Sequence, residues 1–158
     1  MTDDANKLYL FDANCMLGRT IAPKPGFPQN VRQLLAVMDR FGIAEAAVYH
    51  AQSLQYDAAH GNAALTAEIE GIERLHAVWV LLPDHTGEFP DADVLLRQMA
   101  EQNVKAARLF PGGDNHNFSL KPYSAGRLLR GLESVAMPLF VDQIQIGWND
   151  VHDVCRDY

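Results

Sequence analysis

The sequence has little cysteine, no cluster of basic residues and no long apolar segment, and each absence excludes a class of protein. Only two cysteines occur, Cys15 and Cys155, and their wide separation argues against a disulfide-stabilised secreted domain. The formal net charge of -7 does not favour binding to a nucleic-acid backbone. No apolar run reaches the length of a membrane span, and the polar, acidic start is unlike a secretory signal. These features predict a cytoplasmic protein that binds neither nucleic acid nor membrane.

A repeated order of strand, loop and helix organises the chain, with a period of about 30 to 35 residues that is typical of a βαβ unit. The 158 residues are enough for one domain with a substantial core. The predicted strands cover 8–17, 44–52, 74–83, 104–111 and 137–145. The predicted helices cover 31–41, 58–71, 91–103 and 124–136, and a last one begins at 148. Asn30 and Ser124 are the expected N-caps of two helices, and Gly42 the expected end of the first.

Apolar strands that alternate with amphipathic helices predict a parallel α/β sheet. Two architectures satisfy this pattern: the first five units of an eight-unit β/α barrel of the TIM type, or a five-stranded doubly wound, flavodoxin-like sheet. Long polar loops follow the first and fourth strands at their carboxyl ends, where barrels build their sites, which favours the barrel. Since a barrel usually needs about 250 residues, we expect 1–158 to be a single incomplete barrel domain from a truncated reading frame. Its open edges at the first and fifth strands would allow pairing into homo-oligomers.

Polar side chains at the predicted strand ends are the candidates for a site. Alternation along the first strand predicts that Asp12, Asn14 and Met16 share one face, while Cys15 lies on the other. Asn14 is a candidate for substrate binding. Asp12 is most simply a hydrogen-bond partner of a neighbouring strand, and Met16 a packing residue.

The second, fourth and fifth strands add four more candidates. His50 and Gln52 fall near the end of the second strand on one face with Val48. His50 is suited to proton transfer near neutral pH, with a buried structural histidine as the alternative, and Gln52 is a candidate for substrate binding. Arg108 lies among apolar neighbours near the end of the fourth strand and needs an anion, which is either Asp142 or a substrate carboxylate. His85, Asp114 and His116 lie in loops on the same predicted side of the sheet, where polar residues commonly have no functional role.

Four stretches of the chain together carry a family resemblance. They are FDANCMLGR, YHAQ, VKAARLFPGGDNHNFSL and VAMPLFVDQIQIGWNDV, and they resemble the amidohydrolase superfamily. The resemblance is to the amidohydrolase-related branch, which includes the aminocarboxymuconate-semialdehyde decarboxylase-like metal-dependent hydrolases. It implies a β/α barrel that hydrolyses an amide or ester, or decarboxylates an aromatic acid, with zinc or manganese as the metal that the family would supply.

The family's metal ligands are replaced in this chain. The two histidines of its D-x-H-x-H motif correspond to Asn14 and Met16, and its fifth-strand histidine corresponds to Asp142. An amide oxygen and a thioether bind zinc or manganese poorly, so no cofactor is assigned, although Asp142 could still ligate a metal. We expect a hydrolase with a degenerate metal site that acts on a small substrate bearing a carboxylate or amide, with a catalytically inactive ligand-binding or structural protein as the alternative. Asp142 would act as base or metal ligand, His50 as proton carrier and Arg108 as the group that binds a carboxylate.

Overall fold

A computed structural model describes residues 8–22 and 25–158. The polar start at 1–7 and residues 23–24 of the proline-rich loop lie outside the described part. The strands are β1 (Leu10–Leu17), β2 (Ile43–His50), β3 (Leu75–Val80), β4 (Ala106–Leu109) and β5 (Leu139–Val141). The helices are α1 (Val31–Phe41), α2 (Ala51–Gln55), α3 (Ala58–Glu68), α4 (Ala92–Glu101), α5 (Pro122–Ser134) and α6 (Trp148–Asp157). Within the described ranges, no helix combines the length and the apolar character that crossing a membrane requires.

The strands form one parallel sheet in the order β1-β2-β3-β4-β5, curled into a half-barrel. Every crossover moves one strand in the same direction, so right-handed connections place the helices on one face of the sheet. A doubly wound sheet needs a reversal of strand order between its halves. The flavodoxin-like alternative is therefore wrong. The expectation that β1 and β5 form the two ends of the sheet is confirmed.

Alternation along the strands divides the core into two layers. The outer face of the sheet packs against the helices, and the inner face lines the concave side of the half-barrel. The outer layer includes Ala46, Val48, Ala77, Trp79, Ala107 and Leu109 from the strands and Leu34, Met38, Leu65, Leu95, Met99 and Leu129 from the helices. The inner layer includes Ala47, Tyr49, Val78, Val80, Ala106 and Phe110.

Local signals at the helix ends are confirmed at α1 and wrong at α5. The Asn30 side chain accepts a hydrogen bond from the backbone N–H of Gln33 at 3.0 Å, and Gly42 ends α1 with a φ of 68°. By contrast, α5 begins at Pro122 rather than after Ser124. Proline at the first helical position costs no hydrogen bond, because that N–H has no partner within the helix.

β2 is shorter than the sequence predicts. It ends at His50, and the segment expected to continue to Gln52 turns into α2. The reason is local, because His50 Nδ1 accepts a hydrogen bond from the Gln52 N–H at 3.2 Å and so caps the new helix.

β1 differs from the predicted strand in its exposure to solvent and in its register with β2. The run beginning at Leu8 predicts a buried strand, yet Leu10 and Phe11 are 42% and 49% exposed because β1 lies at the edge of the sheet. Asp12 pairs with Ala46 and Cys15 with Val48, so three steps along β1 correspond to two along β2. Such a bulge interrupts the alternation, so that two residues that would otherwise share a face lie on opposite faces when the bulge is between them.

Asn62 joins α3 to the backbone of β3. Its side chain is buried, donates to the carbonyl of Val80 at 2.8 Å and accepts from the Val80 N–H at 2.9 Å. The Ser53 hydroxyl on α2 donates to the same Asn62 oxygen at 3.1 Å. One amide therefore provides partners for three buried polar groups.

Replacing this amide tests its structural role. We expect Asn62→Ala to lower the free energy of unfolding by about 3 kcal/mol, because a buried polar group that loses its partner costs about 1 to 3 kcal/mol. Urea denaturation followed by circular dichroism measures the change. Asn149→Ala, on the exposed surface of α6, is the control and should change stability by less than about 0.5 kcal/mol. Equal stabilities of the two variants would contradict the assigned role.

Candidate functional site

Arg108 is the central residue of the inner face at the carboxyl end of the sheet. Its side chain is 3% exposed. The Nη1 group donates to both carboxylate oxygens of Asp142, at 3.1 and 3.3 Å, and the Nη2 group donates to Asn14 Oδ1 at 2.7 Å. One buried cation on β4 thus contacts β1 and the residue that follows β5.

Three aromatic rings surround this guanidinium. Its Cζ atom lies 4.6 Å from the ring centroid of Tyr49, 5.4 Å from that of Phe110 and 5.6 Å from that of Phe140. Ring faces attract a cation, most strongly where water is excluded. Burial raises the pKa of Tyr49, and the charge of Arg108 partly opposes that rise. Tyr49 is therefore a neutral phenol at pH 7.

The Nε–H group of Arg108 is a third feature of the site. It is buried and finds no hydrogen-bond partner among residues 8–22 and 25–158. A guanidinium carries five N–H donors, and leaving one of them unpaired in a buried place is unfavourable. The Nε–H group is therefore a donor that the described residues leave unused.

Two loops are fixed to each other beside Asp142. Asp142 directly follows β5 and precedes a 3₁₀ turn that contains Gln145. The Gln145 amide accepts from the Gly112 N–H at 3.0 Å and donates to Asn115 Oδ1 at 2.7 Å. The long loop after β4 is thereby held against the turn after β5.

His116 lies in the same loop and contacts Phe110, one of the aromatic residues of the site. Its ring meets that of Phe110 edge-on, with centroids 6.0 Å apart, and its backbone N–H donates to the Phe110 carbonyl at 3.1 Å. Burial lowers the pKa of His116, and the backbone carbonyls of Leu54 and Ser53 oppose this in part. His116 is therefore a neutral imidazole at pH 7 that could accept a proton.

Of the residues predicted from the sequence, Arg108, Asp142 and Asn14 lie together, while His50 and Gln52 do not join them. His50 alternates with Tyr49 and so lies on the outer face, where its Nε2 is 3.6 Å from a carboxylate oxygen of Glu68. Burial lowers the pKa of His50, and Glu68 opposes that shift. Gln52 lies on α2.

The first strand presents Asn14 and Met16 to the inner face without Asp12. Met16 packs against the inner layer, as expected of a packing residue. Asp12 accepts from the Asn14 backbone N–H at 2.9 Å and lies beside Cys15, whose thiol pKa rises to about 12 through burial and the nearby carboxylate. The expectation that Asp12 shares a face with Asn14 is wrong, because the bulge intervenes.

Sequence reasoning missed the aromatic residues. Phe110 lies two positions beyond Arg108, a spacing that places both on one face of a strand, and this signal was available. Tyr49 could have been found only if the sequence had shown which face of β2 lines the site. His116 was recognised as a loop residue, but no sequence signal placed it against Phe110.

The residues at this site do not fit a divalent metal. Asn14 and Asp142 stand at positions where the family resemblance implies metal ligands. Their side-chain oxygens both accept hydrogen bonds from Arg108. A guanidinium bound to these oxygens repels a second cation at the same place. The described part of the chain also contains no group of three or more His, Cys, Asp or Glu residues that could hold an ion. No step through zinc or manganese is derived.

Comparison with known proteins gives one relevant similarity. No protein-family model matches the chain, and no curated protein matches its sequence. The fold is similar to the crystal structure of a probable 2-pyrone-4,6-dicarboxylic acid hydrolase from Acinetobacter baumannii with citric acid bound, with a TM-score of 0.56 and 15% sequence identity. The match covers 85% of this chain and 49% of that protein, so the chain spans about half of its length. At this identity the similarity shows the fold.

Proposed function

We propose that this chain is an amidohydrolase-related hydrolase domain, built on part of a TIM-type barrel, that acts on a small substrate bearing a carboxylate. The observation that carries the proposal is the buried Arg108 guanidinium, which lies at the carboxyl end of the strands and retains an unpaired Nε donor. Ligands of parallel β/α folds bind at this end of the sheet. A planar cation among aromatic rings suits a flat carboxylate.

The structural neighbour supports this substrate class. That protein is named as a hydrolase of a dicarboxylic acid, and its crystal structure contains citric acid, which is itself a carboxylate. The fold of this chain is similar to that of about half of the neighbouring protein. The two cysteines here are free thiols, which accords with the proposed work in a reducing cytoplasm.

Each site residue has a distinct role in the proposal. Arg108 binds the substrate carboxylate, and the amide of Asn14 orients it. Asp142, whose side chain is 37% exposed, acts as the base toward a water molecule. His116 takes over the role of proton carrier that the sequence suggested for His50, because it lies on the correct side of the sheet.

A non-catalytic binding protein is the second candidate. Both carboxylate oxygens of Asp142 already accept hydrogen bonds from Arg108, which leaves fewer of their lone pairs for a water molecule. In that case the site would bind a carboxylate and leave it unchanged. Ligand binding and turnover must therefore be measured separately.

Citrate binding tests the anion site. We expect calorimetry to detect citrate binding to the unaltered chain, and Arg108→Lys to weaken it by more than about tenfold, since an ammonium lacks the planar fork. Arg127→Lys, in an exposed ion pair with Asp84, is the matched control and should bind normally. If both variants bind citrate equally well, Arg108 is not the anion site.

Asp142→Asn separates the two candidate functions. Removing the carboxylate that competes for Arg108 should strengthen citrate binding by roughly fivefold, while it abolishes hydrolysis of 2-pyrone-4,6-dicarboxylic acid followed by absorbance. Citrate binding without any turnover in the unaltered chain would favour the non-catalytic protein. Unchanged turnover in the variant would exclude Asp142 as base.

The pH dependence of turnover tests His116. Because its pKa lies below the usual value of 6.5, the neutral, proton-accepting form persists as the pH falls through 6.5. Turnover that depends on this form should be constant at neutral pH and decline only below pH 6.5. A decline that begins above that value, or a profile unchanged in His116→Gln, would contradict the assignment.

We also propose that isolated chains associate through the free edge of β1. This edge exposes Leu8 and Tyr9, at 75% and 66%, next to Leu10 and Phe11, and unpaired apolar edges promote strand pairing. Light scattering should show dimers or larger species, and Leu10→Lys should shift them toward monomers. A monodisperse monomer at high concentration would refute the proposal.

A further inference from the structure

A groove of about 1190 Å³ lies on the outer face of the sheet, between α3 and α4. Its base is formed by Leu75, Ala77 and Trp79 of β3, and Ile72 and Phe89 continue the apolar lining at its ends. The groove is separate from the Arg108 site, which lies on the inner face. It is larger than the roughly 300 to 1,000 Å³ of a typical small-molecule pocket.

The groove exists because α3 and α4 stand apart. On its other side α4 packs closely against α5, where a Cβ added at Gly131 would lie 3.2 Å from Ala92 and from Leu96. The groove occupies the space between α4 and α3, with residues of both helices among its lining. The α3 wall carries Ala59, Ala63 and Ala67 at intervals of four residues, which places them in one line. Small side chains let the backbone of another element approach closely.

The rim of the groove is negatively charged. Glu70, Glu73, Glu88 and Glu101 line it and are exposed, and in the described part of the chain none of them forms an ion pair. Lys105 is the one lysine or arginine among the lining residues. An apolar base with an acidic rim complements an element that is apolar on one side and basic on the other.

We propose that this groove binds a basic amphipathic helix of a partner protein. The apolar side of the helix would cover Trp79 and lie along the alanines of α3, and its lysines or arginines would face the rim glutamates. A second copy of this chain fits poorly, because its net charge of -7 adds repulsion to the same rim. A carboxylate ligand is repelled by the rim for the same reason.

A synthetic peptide provides the probe. We would use a helix-forming peptide of about 18 residues with leucines on one side and lysines on the other, and a matched peptide with glutamate at each lysine position. Trp148→Phe, at an exposed position on α6, leaves Trp79 as the one tryptophan, so its fluorescence reports binding. We expect saturable binding of the lysine peptide, weakened at high salt, and at least roughly tenfold weaker binding of the glutamate peptide.

Variants of the groove complete the test. Glu70→Lys with Glu73→Lys should weaken binding of the lysine peptide by roughly tenfold, whereas Glu133→Lys, on the exposed surface of α5, should change it less than about twofold.

Ala63→Phe should block the groove. Ala100→Phe, on the exposed side of α4, is its control, and circular dichroism checks that both variants are folded. Equal binding of both peptides, binding that survives the double charge reversal, or no saturable change in Trp79 fluorescence would overturn the proposal. Self-association that Ala63→Phe abolishes would assign the groove to a second copy instead.

Discussion

The structure depends on how one buried cation is compensated. A guanidinium that is 3% exposed must find anionic and polar partners. Arg108 finds them in Asp142, which directly follows β5, and in Asn14 on β1, so that its partners lie at the two ends of the sheet. These contacts span the inner face and favour a curled sheet over a flat one. The same residue that shapes the half-barrel therefore also defines its site.

A second cluster of polar and aromatic side chains lies at the opposite end of the inner face, and its charged groups are less buried than Arg108. Near the amino ends of β1 to β3, Glu45 accepts a hydrogen bond from the Tyr9 hydroxyl and pairs with His76. Phe11 stacks on the His76 ring at 5.8 Å. The Glu45 and His76 side chains are 33% and 27% exposed, so water can solvate them without a deep cavity. The buried charge and the unpaired donor of Arg108 lie at the carboxyl end of the inner face, which distinguishes the candidate site from this cluster.

The parallel α/β sheet, the strand count and the need of Arg108 for an anion could be predicted from the sequence, because apolar periodicity and the cost of a buried charge are local or general properties. The sequence left Asp142 as one of two candidates for that anion. The faces of β1 and the end of β2 could not. A bulge after Asp12 shifts the alternation of β1 by one residue, and a shift of one residue moves a side chain to the other face. In β2 the predicted alternation is right, because His50 lies with Val48 on the outer face, but no signal in the sequence shows that the opposite face, which carries Tyr49, lines the site. The packing of His116 against Phe110 depends on a loop conformation that no periodic signal encodes.

In the proposed function, the contacts of Arg108 with Asn14 and Asp142 take the place of metal ligation, and this limits the chemistry of the site. A bound metal both stabilises negative charge and lowers the pKa of its water. A guanidinium provides the first effect only, because it remains protonated and coordinates no water. Activation of water would then rest on Asp142 and His116, whose general-base contribution is typically about 10² to 10⁴-fold. Such a site is better suited to an ester or lactone, whose leaving group departs readily, than to an unactivated amide, and Arg108 would serve mainly to bind the substrate carboxylate.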